Sequence, residues 1–530
     1  MLHSLTCRGG MVSAPHHLAA QAGANVLRDG GNAVEAMVAA AAAIAVVYPH
    51  MNSIGGDGFW LIAEPGREPV AVRACGSAAG LASADFYADH GESVIPTRGP
   101  RAALTVAGAI GGWAEALAVA APWGSALPLS RLLAEAKDHA IAGVPVTRSQ
   151  VALTAAKWAE LAQVSGFAAT FAPHGLPALH DTLNQPRLAA TLEQLGRAGL
   201  DDFYRGDLAR SLAADLQAVG SPLRLADLQA YRAQRVAALS VELSVGRVYN
   251  QPPPTQGVAS LAILGVFDRL GVTQGEGFDH LHGLVESTKR AFLWRNAHVG
   301  DPEAMAARGS DPQDFLSCAS LDRQAARIDP KRAAPWPQTA LPGDTIWMGA
   351  ADAQGRVVSY IQSIYWEFGS GIVLQGSGVN WQNRGSSFTL TPGPNALVPG
   401  RQPFHTLNPA LARLKSGAVL AYGTMGGEGQ PQTQAAVFTR HAMFGQNLQA
   451  AISAPRWLLG RTWGDDSTNL KLESRFDPAL VGALRAAGHD VQIVGDYDDM
   501  MGHAGAVKVH PSGVIEGATD PRADGICAGL

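Results

Sequence analysis

Two stretches carry residue types that could do chemistry. In "TALPGDTIWMGAAD", beginning at Thr339, a proline-bearing loop hands over at Asp344–Thr345 to a long β pattern. A threonine hydroxyl is a weak nucleophile and needs a base beside it. Taken alone, Thr345 reads equally well as a β-branched residue opening a strand. In "GTMGGEGQ", Gly423 to Gln430, glycines crowd without completing G-x-G-x-x-G, and the stretch by itself reads as a tight turn. The pair His16–His17 suits the surface or a cap near a helix start, because no third metal ligand accompanies it. There is no G-x-x-x-x-G-K-[ST], no H-E-x-x-H and no G-x-S-x-G.

These candidates must be positioned by a large chain. It has 530 residues, 47% of them hydrophobic, enough for one large globular unit or two to three domains. A net charge of −5 with no basic run argues against nucleic acid and against a membrane surface as partners. Cys7, Cys75, Cys318 and Cys527 are scattered with no C-x-x-C, which suits a reducing compartment rather than a disulfide framework or zinc site. "MLHSLTCRGGMVSAPHH" lacks the order of a secretory signal, and the apolar run from Ala36 to Tyr48 is too short for a membrane span. The expectation is a cytoplasmic protein.

Along the chain, "HHLAAQAGANVLRDGG" reads as a helix closed at Asp29–Gly31. An Ala-rich buried helix follows, stopped by Pro49. "FWLIA" and "PVAVRACG" read as paired strands. Helical periodicity dominates from about Thr105 to Tyr231, then returns in "QGVASLAILGVFDRLG" and "HLHGLVESTKRAFLWRNAHVGDP" after strand-like "LSVELSVGRVYN". The prolines of "RIDPKRAAPWPQTALPGD" forbid a continuous helix. Beyond it, "TIWMGAAD" and "RVVSYIQSIY" read as a hairpin about "AQG", "NPALARLKSGAVLAYGT" as another, and "VQIVG" and "AGAVKVHPSGVIEGATDP" as closing strands. Strands grouped as hairpins favour an α+β layered fold over a doubly wound sheet.

Several blocks together resemble the γ-glutamyltranspeptidase family of N-terminal-nucleophile hydrolases. They are "GGNAVEAMVAAAAAIAVVYPHMNSIGGDGFWL", "GDT" followed by "FGSGI", "PFHTLNPAL", "GTMGG" and "GATDPRADG", in family order over essentially the whole chain. The resemblance implies a four-layer αββα sandwich. It also implies a proenzyme cut between Asp344 and Thr345 into a large subunit, 1–344, and a small subunit, 345–530, interwoven in one domain. Scission would give Thr345 a free α-amino group, of ordinary pKa about 7.7–8.0, to serve as its own base. By the same resemblance Gly426 and Gly427 form the oxyanion hole, Ser363 supports the nucleophile's hydroxyl, and Arg73 clamps a substrate carboxylate. No metal or cofactor is implied. The partners are the two subunits of one precursor and a small-molecule amide, with a homo-oligomer of αβ units left open.

The chain departs from the family where a glutamyl α-amino group would be held. Those positions are Tyr365, Arg384 and Ser387, and the serine pair that helps hold the carboxylate is His405–Thr406, which can still donate. Anion recognition is expected to persist and ammonium recognition to be lost. The implied substrate is a small carboxylate-bearing amide without an α-amino group, and the motifs are most similar to the oxamate amidohydrolase group of purine (allantoin) degradation. The alternatives are a γ-glutamyltransferase or glutathione hydrolase, a glutaryl-cephalosporin acylase-like enzyme, and an unprocessed relative that only binds a carboxylate.

Overall fold

The β pattern read from Thr345 onward forms the strand Asp344–Asp352, which returns as Val357–Tyr365 in an antiparallel hairpin. The computed structural model describes residues 3–124, 126–336, 344–460 and 467–530. Residues 337–343 of the proline-punctuated connector therefore lie outside the described residues.

The hairpin sits inside a seven-stranded sheet. Its order is Ile526–Gly529, Gly10–Ala14, Asp344–Asp352, Val357–Tyr365, Asp57–Ala63, Val70–Ala74 and Gln234–Ala237. A second seven-stranded sheet runs Leu5–Cys7, Ile515–Thr519, Ala504–Val509, Val419–Thr424, Ala410–Leu414, Gly246–Asn250 and Leu239–Leu243. Every ladder in both sheets is antiparallel. Val491–Val494, expected among the closing strands, instead pairs parallel with Leu470–Glu473 in a separate three-stranded sheet. Its residues are half-buried or exposed, so neither of its faces is covered by the sandwich.

Strand alternation divides the core into three apolar layers. Met11, Phe59, Leu61, Trp347, Ile361, Leu411 and Val507 fill the space between the sheets. Ile346, Met348, Ala350 and Val358 point from the first sheet to a helical layer led by Ala33–Val47. Val248, Ala412, Leu420 and Ala506 point from the second sheet to helices Gly257–Asp268, Phe278–His298 and Gln430–Phe438. This is the four-layer αββα sandwich.

The helix Ala33–Val47 is buried on all sides, as an all-apolar helix must be. It starts at a reciprocal cap: Asn32 Oδ1 accepts from the backbone of Val34 and Glu35, and Glu35 Oε2 accepts from Asn32 N. Asp352 Oδ2 accepts from Ala33 N at 3.1 Å, tying the far end of the Thr345 strand to that helix start. His16 caps His17–Arg28 through Nδ1, and it is buried rather than at the surface.

Candidate active site

Thr345 shares its strand face with Trp347, so alternation turns it toward the space between the sheets, where it is fully buried. Opposite it the neighbouring strand bulges. Asp344 pairs with Tyr365 and Ile346 with Gln362, leaving Ser363 and Ile364 against the single residue Thr345. Ser363 pairs in turn with Asp57 on the next strand, two positions beyond the inter-sheet pair Ile361–Phe59. Thr345, Ser363 and Asp57 thus form a buried polar row at one end of an otherwise apolar layer.

Asp57 is the residue that sequence reasoning missed. Its Oδ1 accepts from Gly76 N, Gly108 N and Gln382 Nε2 at 3.0–3.2 Å, and Oδ2 lies 3.1 Å from His405 Nε2. Burial pushes its carboxyl up to about 7, against the pull of Arg384 and these donors. The loss of an ammonium site was expected because no carboxylate was visible nearby. A carboxylate is there, but both its oxygens already have donors.

His405 does not keep the free donor expected of it. Leu407 N donates to Nδ1 at 3.4 Å, so in the neutral ring the proton sits on Nε2 and is given to Asp57. Burial and the neighbouring Arg384 hold His405 well below the ordinary histidine range, which keeps it neutral. The Thr406 hydroxyl accepts from Arg384 Nη2 at 3.0 Å and keeps its own proton to give.

Arg384 is fully buried, with its guanidinium carbon 3.6 Å from the centroid of the Tyr365 ring. Its Nε and Nη1 are buried with no hydrogen-bond partner among the described residues. Burial lowers it to about 10, so it stays a cation at neutral pH. Ser387 gives its hydroxyl to Phe404 O at 3.2 Å and supports the loop carrying His405–Thr406.

Arg73 lies on the same sheet but farther off. Its Nη1 donates to Pro253 O at 3.1 Å, and it borders a polar cavity of about 510 Å³ with Asp301, Arg401 and Gln402. Three strand spacings, roughly 14 Å, separate its strand from that of Thr345.

The turn Gly426–Gly427 approaches from the second sheet, at the end of Val419–Thr424. Both glycines have left-handed φ, 113° and 51°, a backbone few other residues adopt. Gly426 O accepts from Gly429 N at 2.7 Å, so the N–H of the same peptide, Gly427 N–H, points away from the following helix. Neither glycine N–H donates to a backbone acceptor among the described residues. Two adjacent amides before the helix Gln430–Phe438 make a ready anion position. Behind the turn, a Cβ on Gly426 would touch Gly502, whose carbonyl accepts from Arg456 Nη1. Arg456 is ion-paired with Asp520 of "GATDPRADG", which explains why that block belongs with the site.

Trp347 holds the two sheets in register. A Cβ on Gly349, Gly423 or Gly505 would collide with its indole, and Nε1 donates to Ser359 Oγ at 3.0 Å. One side chain two residues after Thr345 is thus keyed to the strand leading into Gly426.

Comparisons with known proteins cover nearly the whole chain. The Gamma-glutamyltranspeptidase profile matches residues 19–530. An oxamate amidohydrolase proenzyme from Klebsiella pneumoniae subsp. pneumoniae is 53% identical over 523 residues, 98% of each chain. A glutathione hydrolase-like proenzyme from Bacillus subtilis is 39% identical over 525 residues, again 98% of each. The crystal structure of a cephalosporin acylase from Bacillus halodurans superimposes with a TM-score of 0.90 at 32% identity, covering 100% of this chain and 97% of that one. The chain belongs to the γ-glutamyltranspeptidase family.

Proposed function

We propose that this chain is the precursor of an N-terminal-nucleophile amidohydrolase that cuts itself between Asp344 and Thr345. Its substrate is a small amide bearing a carboxylate and no α-amino group, with oxamate fitting best. The observation that carries this reading is Arg384, a buried cation over the Tyr365 ring whose Nε and Nη1 have no partner among the described residues; Tyr365 is the strand partner of Asp344. A desolvated guanidinium is costly unless an anion meets it, and a second cation there would raise the cost. A two-carbon acid is too short to span from Thr345 to Arg73 and needs its anion partner close to the nucleophile. The 53% identity to an oxamate amidohydrolase proenzyme supports the same choice.

In this reading Thr345 Oγ1 attacks the amide carbonyl and passes its proton to the Thr345 α-amine. The tetrahedral oxyanion receives Gly426 N–H and Gly427 N–H, and Ser363 orients the attacking hydroxyl. Arg384 and the Thr406 hydroxyl hold the substrate carboxylate, and the ammonium so formed protonates the departing nitrogen. Ammonia leaves an oxalyl ester on Thr345. Water, deprotonated by the same amine, then releases oxalate. Each oxyanion donor is worth on the order of 10²–10³ in rate.

The test is direct assay of matured protein. Release of ammonia and oxalate from oxamate is expected. No ammonia from oxamate, together with brisk cleavage of a γ-glutamyl anilide, would overturn the substrate assignment.

A further inference from the structure

Gln256 ties together two parts of the site that no strand or helix joins. Its Nε2 donates to the backbone carbonyls of Thr406 and Gly427, both at 2.8 Å. Its Oε1 accepts from Arg295 Nη1 at 2.7 Å. An arginine can only donate, so the carboxamide oxygen must face it and both amide hydrogens are turned onto the two carbonyls. Arg295 is itself fixed: Nε and Nη2 donate to Asn296 Oδ1, Nη2 is ion-paired with Glu428, and the guanidinium lies 3.8 Å from the centroid of the Phe292 ring. Gln256, Arg295 and Glu428 are all buried.

The consequence falls on Gly427. The peptide before it is held by Gly429 N on Gly426 O, and the peptide after it by Gln430 N and the Gln256 side chain, both on Gly427 O. A glycine at φ 51° has little conformational preference of its own, so the bond on Gly426 O orients its N–H, and the bonds on Gly427 O hold the turn that carries it in place. The Gln256 amide that anchors Gly427 also anchors Thr406, whose hydroxyl meets Arg384.

We propose that Gln256 is a positioning residue, locked by Arg295, that sets the distance between the oxyanion donors and the carboxylate-binding loop. This rests on the amidohydrolase reading above. Orientation errors of an ångström cost about 10²-fold in rate, and Gln256 touches no substrate itself.

The experiment compares Gln256→Met and Gln256→Glu with wild type on oxamate. Active sites are counted by the yield of the new threonine terminus, so kcat is per matured molecule. Met keeps the length without donors; Glu keeps the partner for Arg295 but turns acceptors toward two carbonyls. Both are expected to lose about 10- to 100-fold in kcat per site, with KM changing less than kcat. Kcat within twofold of wild type in either variant, or a loss confined to KM, overturns the proposal while leaving the amidohydrolase reading intact. If neither variant folds, Gln256 is only structural and the proposal falls. A matured wild type that cleaves no amide removes the underlying reading, and the proposal with it.

Discussion

The guanidinium carbon of Arg384 lies over the ring of Tyr365, 3.6 Å from its centroid, in a fully buried position beside the strand that begins at Asp344. The ring stabilises the cation without using its N–H groups, which leaves them for an anion. Arg384→Gln should raise KM for oxamate by about 10²-fold, since buried charge-assisted bonds are worth roughly 1.5–3 kcal/mol. The same variant should melt no lower than wild type in the absence of ligand, because a buried guanidinium whose Nε and Nη1 have no hydrogen-bond partner among the described residues has been removed. Steady-state kinetics and a thermal scan check both halves.

Thr345→Ala should remain a single full-length polypeptide on a denaturing gel and release no ammonia. The wild-type small subunit should give Thr-Ile-Trp-Met on N-terminal sequencing. Thr345→Ala protein that still splits at the same bond would separate scission from this hydroxyl.

Asp57 gives a pH signature. Its carboxyl is raised from 3.8 to about 7 by burial, so in that window the native state holds a proton that the unfolded chain has released. Its contribution is present below about pH 4 and is lost as pH rises through about 7. Asp57→Asn lacks this loss, so its melting temperature relative to wild type should rise between pH 5 and pH 8. A difference that is flat with pH would contradict the shift.

Gly423→Ala should be more damaging than its one methyl group suggests, because the added Cβ would collide with Trp347. Overpacking of this kind costs roughly 1–3 kcal/mol. Replacing Trp347 with Phe in the same chain should recover part of the loss in stability and activity, the coupling expected of residues in contact. A double variant that is simply additive would show that the indole does not set the spacing between the sheets.

What was legible in the sequence follows a physical line. The helix Ala33–Val47 announced itself through an Ala-rich apolar run and a stop at Pro49, both local signals. The hairpin 344–365 showed its alternation and its turn. Gly10–Ala14 showed neither, because its five residues, Gly-Met-Val-Ser-Ala, make no sustained apolar or β-branched run. Asp57 carried no local signal: its partners come from positions 76, 108, 382 and 405, which only the fold assembles. The occupied state of His405 was hidden for the same reason. Its residue type said donor, while its neighbours had already claimed both nitrogens. Gln256 was a polar residue after a run of prolines, and nothing in its spacing marked it.

The first sheet alternates segments from the two sides of residue 344: 526–529, then 10–14, then 344–352 and 357–365, then 57–63. A molecule cut at that point would therefore have two halves that cannot separate without stripping bare the edges of a shared sheet. Bare edges pair with whatever strand is nearest, so halves produced apart should clump rather than reunite. Making the protein as one polypeptide would then be a requirement of assembly, and its maturation a step with no route back.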